Sequence, residues 1–149
     1  MLQTEGKIMF EALYPLISES IERGESFRFT AFGQSMHPFI RGGKDRVCLS
    51  PLNKDIEKYD VIFYRRKNGM FVLHRVIGMK SDTFTLCGDN QYSIEEGIEP
   101  DQVIASLTEI ERNGKTIRLN SLSHRLWCYS LFMRRFCLHV KSYISRKLK

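Results

Sequence analysis

The sequence predicts a mainly β protein: a coiled antiparallel sheet or barrel with a helix at each end of the chain. Three observations carry this expectation. Short β-type runs recur between Ser26 and Leu119, separated by turn residues. Two of those turns, Asn68-Gly69 and Asn113-Gly114, are strong hairpin signals. Helical spacing of apolar residues is confined to the two ends, so no βαβ alternation is present. The expected organisation is an N-terminal helical segment over 1–25, a β domain over 26–121 and a C-terminal helix over 122–149. A chain of 149 residues suffices for one ordinary core.

In residues 5–23, Met9, Leu13, Leu16, Ile17 and Ile21 recur at helical spacing, and Gly24 supplies a stop. Pro15 lies inside the run and predicts a kink or two shorter helices. In Ser26–Phe32, Phe27, Phe29 and Ala31 alternate with other residues, as in a half-buried strand. Gly33, Pro38, Gly42 and Gly43 then break the pattern and predict a shaped loop over 33–43. Further strands are expected at Arg46–Leu49, Asp60–Arg65, Phe71–Met79, Thr83–Cys87, Val103–Glu111 and Thr116–Leu119. Toward the C-terminus, Leu122, Leu126, Tyr129, Met133, Phe136, Val140 and Ile144 form an apolar stripe at steps of three and four.

Charge is unevenly placed. The net charge is +6, yet residues 122–149 hold seven Lys and Arg and no acid, so residues 1–121 sum to −1. A protein gripping nucleic acid over its whole surface would spread that charge, and no specific nucleic-acid partner is expected. A basic amphipathic tail suits an anionic membrane surface or a partner subunit. The N-terminus lacks the pattern of a secretory signal, and no run approaches the roughly 20 apolar residues of a span. Cys48, Cys87, Cys128 and Cys137 show no metal-type spacing, and free thiols are expected, as in a cytoplasmic protein. His124 and Cys128 are spaced i, i+4, a weak metal signal that helix packing explains as well. No metal or other cofactor is expected.

The chemistry-bearing candidates lie in the β region. Serine becomes a nucleophile only when a base takes its proton. Gly33-Gln34-Ser35-Met36-His37-Pro38 bares a serine on a loop: Gly33 permits close backbone approach, Met36 anchors the loop, and Pro38 stiffens its exit. N–H groups around Ser35, those of Gln34 and Ser35 with Gly33 nearby, are the candidate oxyanion donors. The candidate base is His74, flanked on its strand face by Val72 and Val76. A histidine so placed is equally a hydrogen-bonded core residue. Asp89, in Cys87-Gly88-Asp89-Asn90, is the candidate acid for orienting the imidazole, or an ordinary turn residue. Cys87 and Cys48 are rival nucleophiles, but neither lies on a glycine-shaped loop.

Taken in order, FTAFGQSMHPFIRGGKDRV, DVIFYRR, FVLHRVIG and TLCGDNQ resemble the superfamily of type I signal peptidases and self-cleaving SOS-response repressors. The likeness spans about Phe27 to Thr108. It implies a coiled β-fold that cuts peptide bonds with a serine. A histidine rather than a lysine at position 74 resembles the endoplasmic-reticulum and archaeal-like branch, in which an acid of the GDN region is also implicated. The sequence departs from the pattern at Gly43-Lys44-Asp45, which has one residue inserted, and at Tyr59-Asp60. The acid that comes after the GDN motif is displaced, with Glu95 and Glu96 the nearest substitutes. The resemblance implies a serine endopeptidase acting on a precursor or leader peptide; the sequence departs from true signal peptidases in that no transmembrane anchor is expected, and the expected location is cytoplasmic or peripheral on the inner membrane face. The competing expectation is a non-catalytic peptide- or membrane-binding adaptor on the same fold.

Overall fold

The computed structural model describes residues 2–119, together with 124, 126 and 128–130. The chain divides into two compact units, Met1–Leu119 and Asn120–Lys149. In the first, helix α1 (Leu2–Glu22) precedes eight strands: β1 (Phe27–Thr30), β2 (Arg46–Ser50), β3 (Val61–Arg65), β4 (Phe71–Lys80), β5 (Thr83–Cys87), β6 (Ile94–Ile98), β7 (Val103–Arg112) and β8 (Lys115–Arg118). All pair antiparallel in one sheet, ordered β1-β2-β7-β3-β4-β5-β6, with β8 beside β7. The fold is mainly β as expected, but the sheet is not closed: among the described residues β1, β6 and β8 each pair with a single strand. Register shifts at Cys48/Leu49, Phe63/Tyr64, Val76/Gly78 and Phe84/Leu86 mark bulges, which bend and coil a sheet.

Both hairpin signals form turns. Asn113 and Gly114 both adopt positive φ, the two-residue turn that suits the strand twist of β7 and β8. Between β3 and β4 the loop is longer: Arg66 N–H bonds Met70 O, Gly69 takes positive φ, and the Asn68 side chain accepts from Met70 N–H. One strand was not foreseen. Ile94-Glu95-Glu96-Gly97-Ile98 lacks an alternating pattern, and only Ile98 is buried, yet it pairs with β5 through Leu86↔Glu95 and Cys87↔Ile94. Pro15 does not split the N-terminal helix, which runs unbroken through it.

β3 lies at the centre, and Val61, Ile62, Phe63 and Tyr64 are all fully buried, so both faces of the sheet are covered there. On one face Ile62, Tyr64, Val76, Phe84, Leu86, Ile98 and Val103 form a core inside the sheet's own curl. On the other, α1 covers Phe63 with Phe10 (5.3 Å between ring centroids) and stacks Tyr14 on Phe71 (4.2 Å). The helix thus belongs to the β unit rather than standing apart as a segment of its own.

Among the described residues, no helix is long and apolar enough to cross a membrane. In the second unit, His124, Leu126 and 128–130 are helical. Leu126 and Tyr129, two members of the expected apolar stripe, are exposed there, while His124 and Cys128 are buried with Nε2 and Sγ 3.3 Å apart. The rest of the stripe, with Cys137, lies outside the described residues. Among those residues no group of three or more His, Cys, Asp or Glu side chains converges as metal ligands do.

Candidate active site

The serine loop is held from beneath by charge. Between β1 and β2 the chain closes with Ala31 N–H on Asp45 O (2.9 Å) and Gly43 N–H on Ala31 O (2.8 Å). Gly33 and Gly43 have positive φ, and Gly42 is needed for contact: a Cβ there would fall 2.0 Å from Gly33 O. Met36, Phe39 and Ile40 are buried and anchor the loop, and Ser35 stands partly exposed above them. Asp45 is fully buried below. It accepts from Arg41 N–H and guanidinium (2.8–2.9 Å) and from Arg112 (2.6–3.2 Å), which also donates to Phe39 O. Burial pushes the Asp45 carboxyl upward, but the bonds from Arg112 and Arg41 prevail and hold it at about 2 against an ordinary 3.8.

A carboxyl pKa lowered by folding stabilises the fold above its unfolded value, and that gain is lost as pH falls through the folded value. Asp45 therefore contributes ~2 kcal/mol at neutral pH. The contribution begins to fade near the ordinary value of 3.8 and is gone below about 2. Asp45→Asn is expected to lower the urea midpoint near neutrality, with the wild-type advantage shrinking on acidification. A gap that stays constant down to the acid limit would refute this account of the loop.

His74 lies on β4 opposite Ile62 of β3 and is 1% exposed. Its Nδ1 is 3.1 Å from Glu95 Oε1 and 3.4 Å from Tyr64 Oη. Glu95, on β6, is gripped in turn by Arg66: Nε to Oε2 at 2.7 Å and Nη2 to Oε1 at 2.5 Å. Desolvation raises the Glu95 carboxyl, but hydrogen bonds from His74, Arg66 and Tyr64 outweigh it and leave it well below the ordinary carboxylate range. Burial, with the Glu95 charge added, pushes the Tyr64 phenol far upward, so it stays a neutral donor. A histidine facing an ionised carboxylate has its ring orientation fixed.

Asp89 does not have the place expected of it. Its two oxygens accept from Arg75 Nε (2.8 Å) and Nη2 (2.7 Å), and both side chains are 4% exposed. Arg75 also donates to Tyr59 O and lies over the Phe39 ring at 4.6 Å. A buried arginine on β4 needs a carboxylate more than the imidazole does. Asp89 thus ties the Gly-Asp-Asn turn to β4, and the acid at His74 is Glu95. Glu96, the other substitute, points to solvent.

That turn brings Ser35 and His74 together. Asn90 N–H bonds Ser35 O (2.8 Å), and Asn90 Nδ2 bonds Gln34 O (3.2 Å). At Gly88 a Cβ would lie 2.7 Å from Ser35 O and 3.1 Å from His74 Nε2, so the serine backbone and the second imidazole nitrogen flank the same gap. No hydrogen bond joins Ser35 Oγ to His74. Gln34 and Ser35 N–H groups donate to no acceptor among the described residues, which leaves them available to an oxyanion.

Ser35 and His74 both line a cleft of about 580 Å³, together with Gly33, Gln34, Met36 and Arg66. One wall is β4. Strand β5 pairs with β4 only from Arg75 onward, so among the described residues no strand lies beside the Phe71–His74 edge. Cys48 and Cys87 are buried and neither lines this cleft; the Cys87 thiol faces the carbonyls of its own turn, at 3.2–3.4 Å. Tyr64 and Arg66 were not foreseen as site residues. The hairpin register carried a signal for Tyr64, since it places Tyr64 opposite Val72, on the His74 face. No protein-family model matches this chain, and no curated protein matches it.

Proposed function

We propose that this chain is a serine endopeptidase in which Ser35 is the nucleophile, His74 the general base and Glu95 the acid that orients it. One observation carries the reading: a buried histidine has one nitrogen on an arginine-clamped carboxylate and the other beside the glycine-shaped serine loop, in a single cleft. The fold is then of the signal-peptidase type, in accord with the four motifs and their order along the chain.

Ser35 Oγ attacks a peptide carbonyl while His74 Nε2 takes its proton. The oxyanion is held by the Gln34 and Ser35 N–H groups. His74 then protonates the leaving amine, and water, activated by the same nitrogen, releases the acyl group. Glu95 keeps the other nitrogen engaged throughout. The substrate backbone extends along the unpaired Phe71–His74 edge of β4 as an added strand, the arrangement in which main-chain bonds supply affinity. A precursor or leader peptide is the substrate class that the resemblance supports.

The test is acylation by a fluorophosphonate probe, with subsequent mapping of the modified residue. Ser35 alone is expected to be labelled, and Ser35→Ala to abolish labelling in a folded chain. Labelling at another residue, or none in a folded wild-type chain, would overturn the assignment and favour the adaptor.

A further inference from the structure

The cleft has two kinds of lining, the polar side chains of Gln34, Asn90, Gln91 and Ser93 and an aromatic part. Phe10 from α1 meets Phe29 and Phe32 edge-on, at 5.9 and 5.8 Å, and Phe29 and Phe32 stack at 5.7 Å. Met36, Ile40 and Phe71 add to the apolar lining of the same cleft. Phe29, Met36, Ile40 and Phe71 are buried, whereas Phe10 and Phe32 keep part of their surface open. Among the described residues no carboxylate lines the cleft, and its two basic groups, Arg66 and His74, both face Glu95. A cationic side chain finds no counter-charge here. A methyl group leaves most of the aromatic surface wet. The cleft volume lies in the range that encloses a large group.

We propose that this aromatic part of the cleft selects a large apolar residue, aromatic or long aliphatic, in the peptide that binds beside Ser35, and that Phe10 of α1 determines its size. The proposal rests on the peptidase reading for cleavage of the bound peptide, but not for binding itself. The N-terminal helix is then part of the specificity pocket as well as a cover for the sheet. Since a single methylene in an apolar pocket changes discrimination by about 10–200-fold, phenylalanine or leucine should exceed alanine by about 10²-fold or more.

The experiment uses the full-length Ser35→Ala chain and fluorescein-labelled peptides of one polar background, with Phe, Leu, Ala or Lys scanned through each position. Fluorescence anisotropy reads affinity, and cleavage by the wild-type chain is measured in parallel. Phe and Leu peptides are expected to bind about 10²-fold more tightly than Ala peptides at one position, with Lys weakest. Phe10→Trp, which narrows the cleft without removing apolar surface, should shift the preference toward smaller residues. Phe10→Ala, checked for a retained melting transition, should shift it toward larger ones. Equal or better binding of the Ala peptides, no binding of any peptide, or an unmoved preference in a folded Phe10→Trp chain overturns the proposal. Acylation of Ser35 without the size preference sinks only the substrate class. A size preference in binding with neither cleavage nor acylation sinks only the peptidase.

Discussion

Replacing His74 by alanine is expected to slow acylation of Ser35 by about 10⁴-fold or more, the scale on which a serine loses its base. The reason is local. Among the described residues, the other charged groups near the loop are already engaged: Arg66 is bonded to Glu95, Asp45 lies under the loop on its two arginines, and Asp89 is taken by Arg75. The truncation also opens a cavity on the strand face shared with Ile62, Tyr64 and Val76, so some stability is lost as well. Two readouts separate these effects. The first is the melting transition, which should stay cooperative. The second is rescue by added imidazole, which should restore part of the labelling because the vacated space faces the cleft and Glu95 remains to orient a ligand there. A folded His74→Ala chain that labels at the wild-type rate would remove His74 from the mechanism. Loss of labelling that tracks unfolding and ignores imidazole would make the histidine a core residue.

The parts of this site differ in how legible they were, and the difference is physical. The serine loop announced itself because glycine permits local backbone geometry that other residues resist, and proline fixes it: Gly33, Gly42 and Gly43 are where the chain turns or closes on itself. His74 was placed by strand alternation, which carries the strand face regardless of partners. The acid at His74 was legible only as an alternative, Glu95 or Glu96 in place of Asp89, because its strand is not legible. Ile94–Ile98 carries two adjacent acids and a positive-φ glycine, and only its pairing with β5 makes it a strand. Context overrode propensity there. With β6 unseen, Asp89, the acid in a recognisable turn, stood ahead of Glu95 and Glu96. One signal pointed the other way. Arg75 sits within a strand of aliphatic residues, and an arginine there demands a buried carboxylate. Counting that demand assigns Asp89 to Arg75 and leaves His74 needing another acid. The openness of the sheet was illegible for a similar reason, since strand runs and turns do not state whether the first and last strands meet.

Glu95 and Asp89 therefore make a paired prediction with opposite signatures. Glu95→Gln keeps size and shape but removes the charge at His74 Nδ1 and offers an amide that favours the wrong imidazole tautomer. Turnover is expected to fall by about 10³–10⁴-fold, the order seen when the orienting carboxylate of such a site becomes an amide. Some stability is lost with the charge that these bonds hold ionised, although Arg66 is partly exposed and water can satisfy it, so turnover is read on the folded fraction. Asp89→Asn does the reverse. It leaves the Arg75 guanidinium without its carboxylate, in a site where both partners are 4% exposed and where Tyr59 O and the Phe39 ring carry no charge to replace it. Breaking a buried pair by removing one member costs about 3–5 kcal/mol. The folded fraction should nevertheless turn over within about tenfold of wild type, since a positioning residue acts on the population of the competent state more than on the chemical step. Urea unfolding and single-turnover acylation, measured on the same preparations, test both halves. If Asp89→Asn stops the chemistry in a stable chain while Glu95→Gln leaves it running, the acid of this site is Asp89, and the carboxylate at His74 Nδ1 serves only the packing of β6.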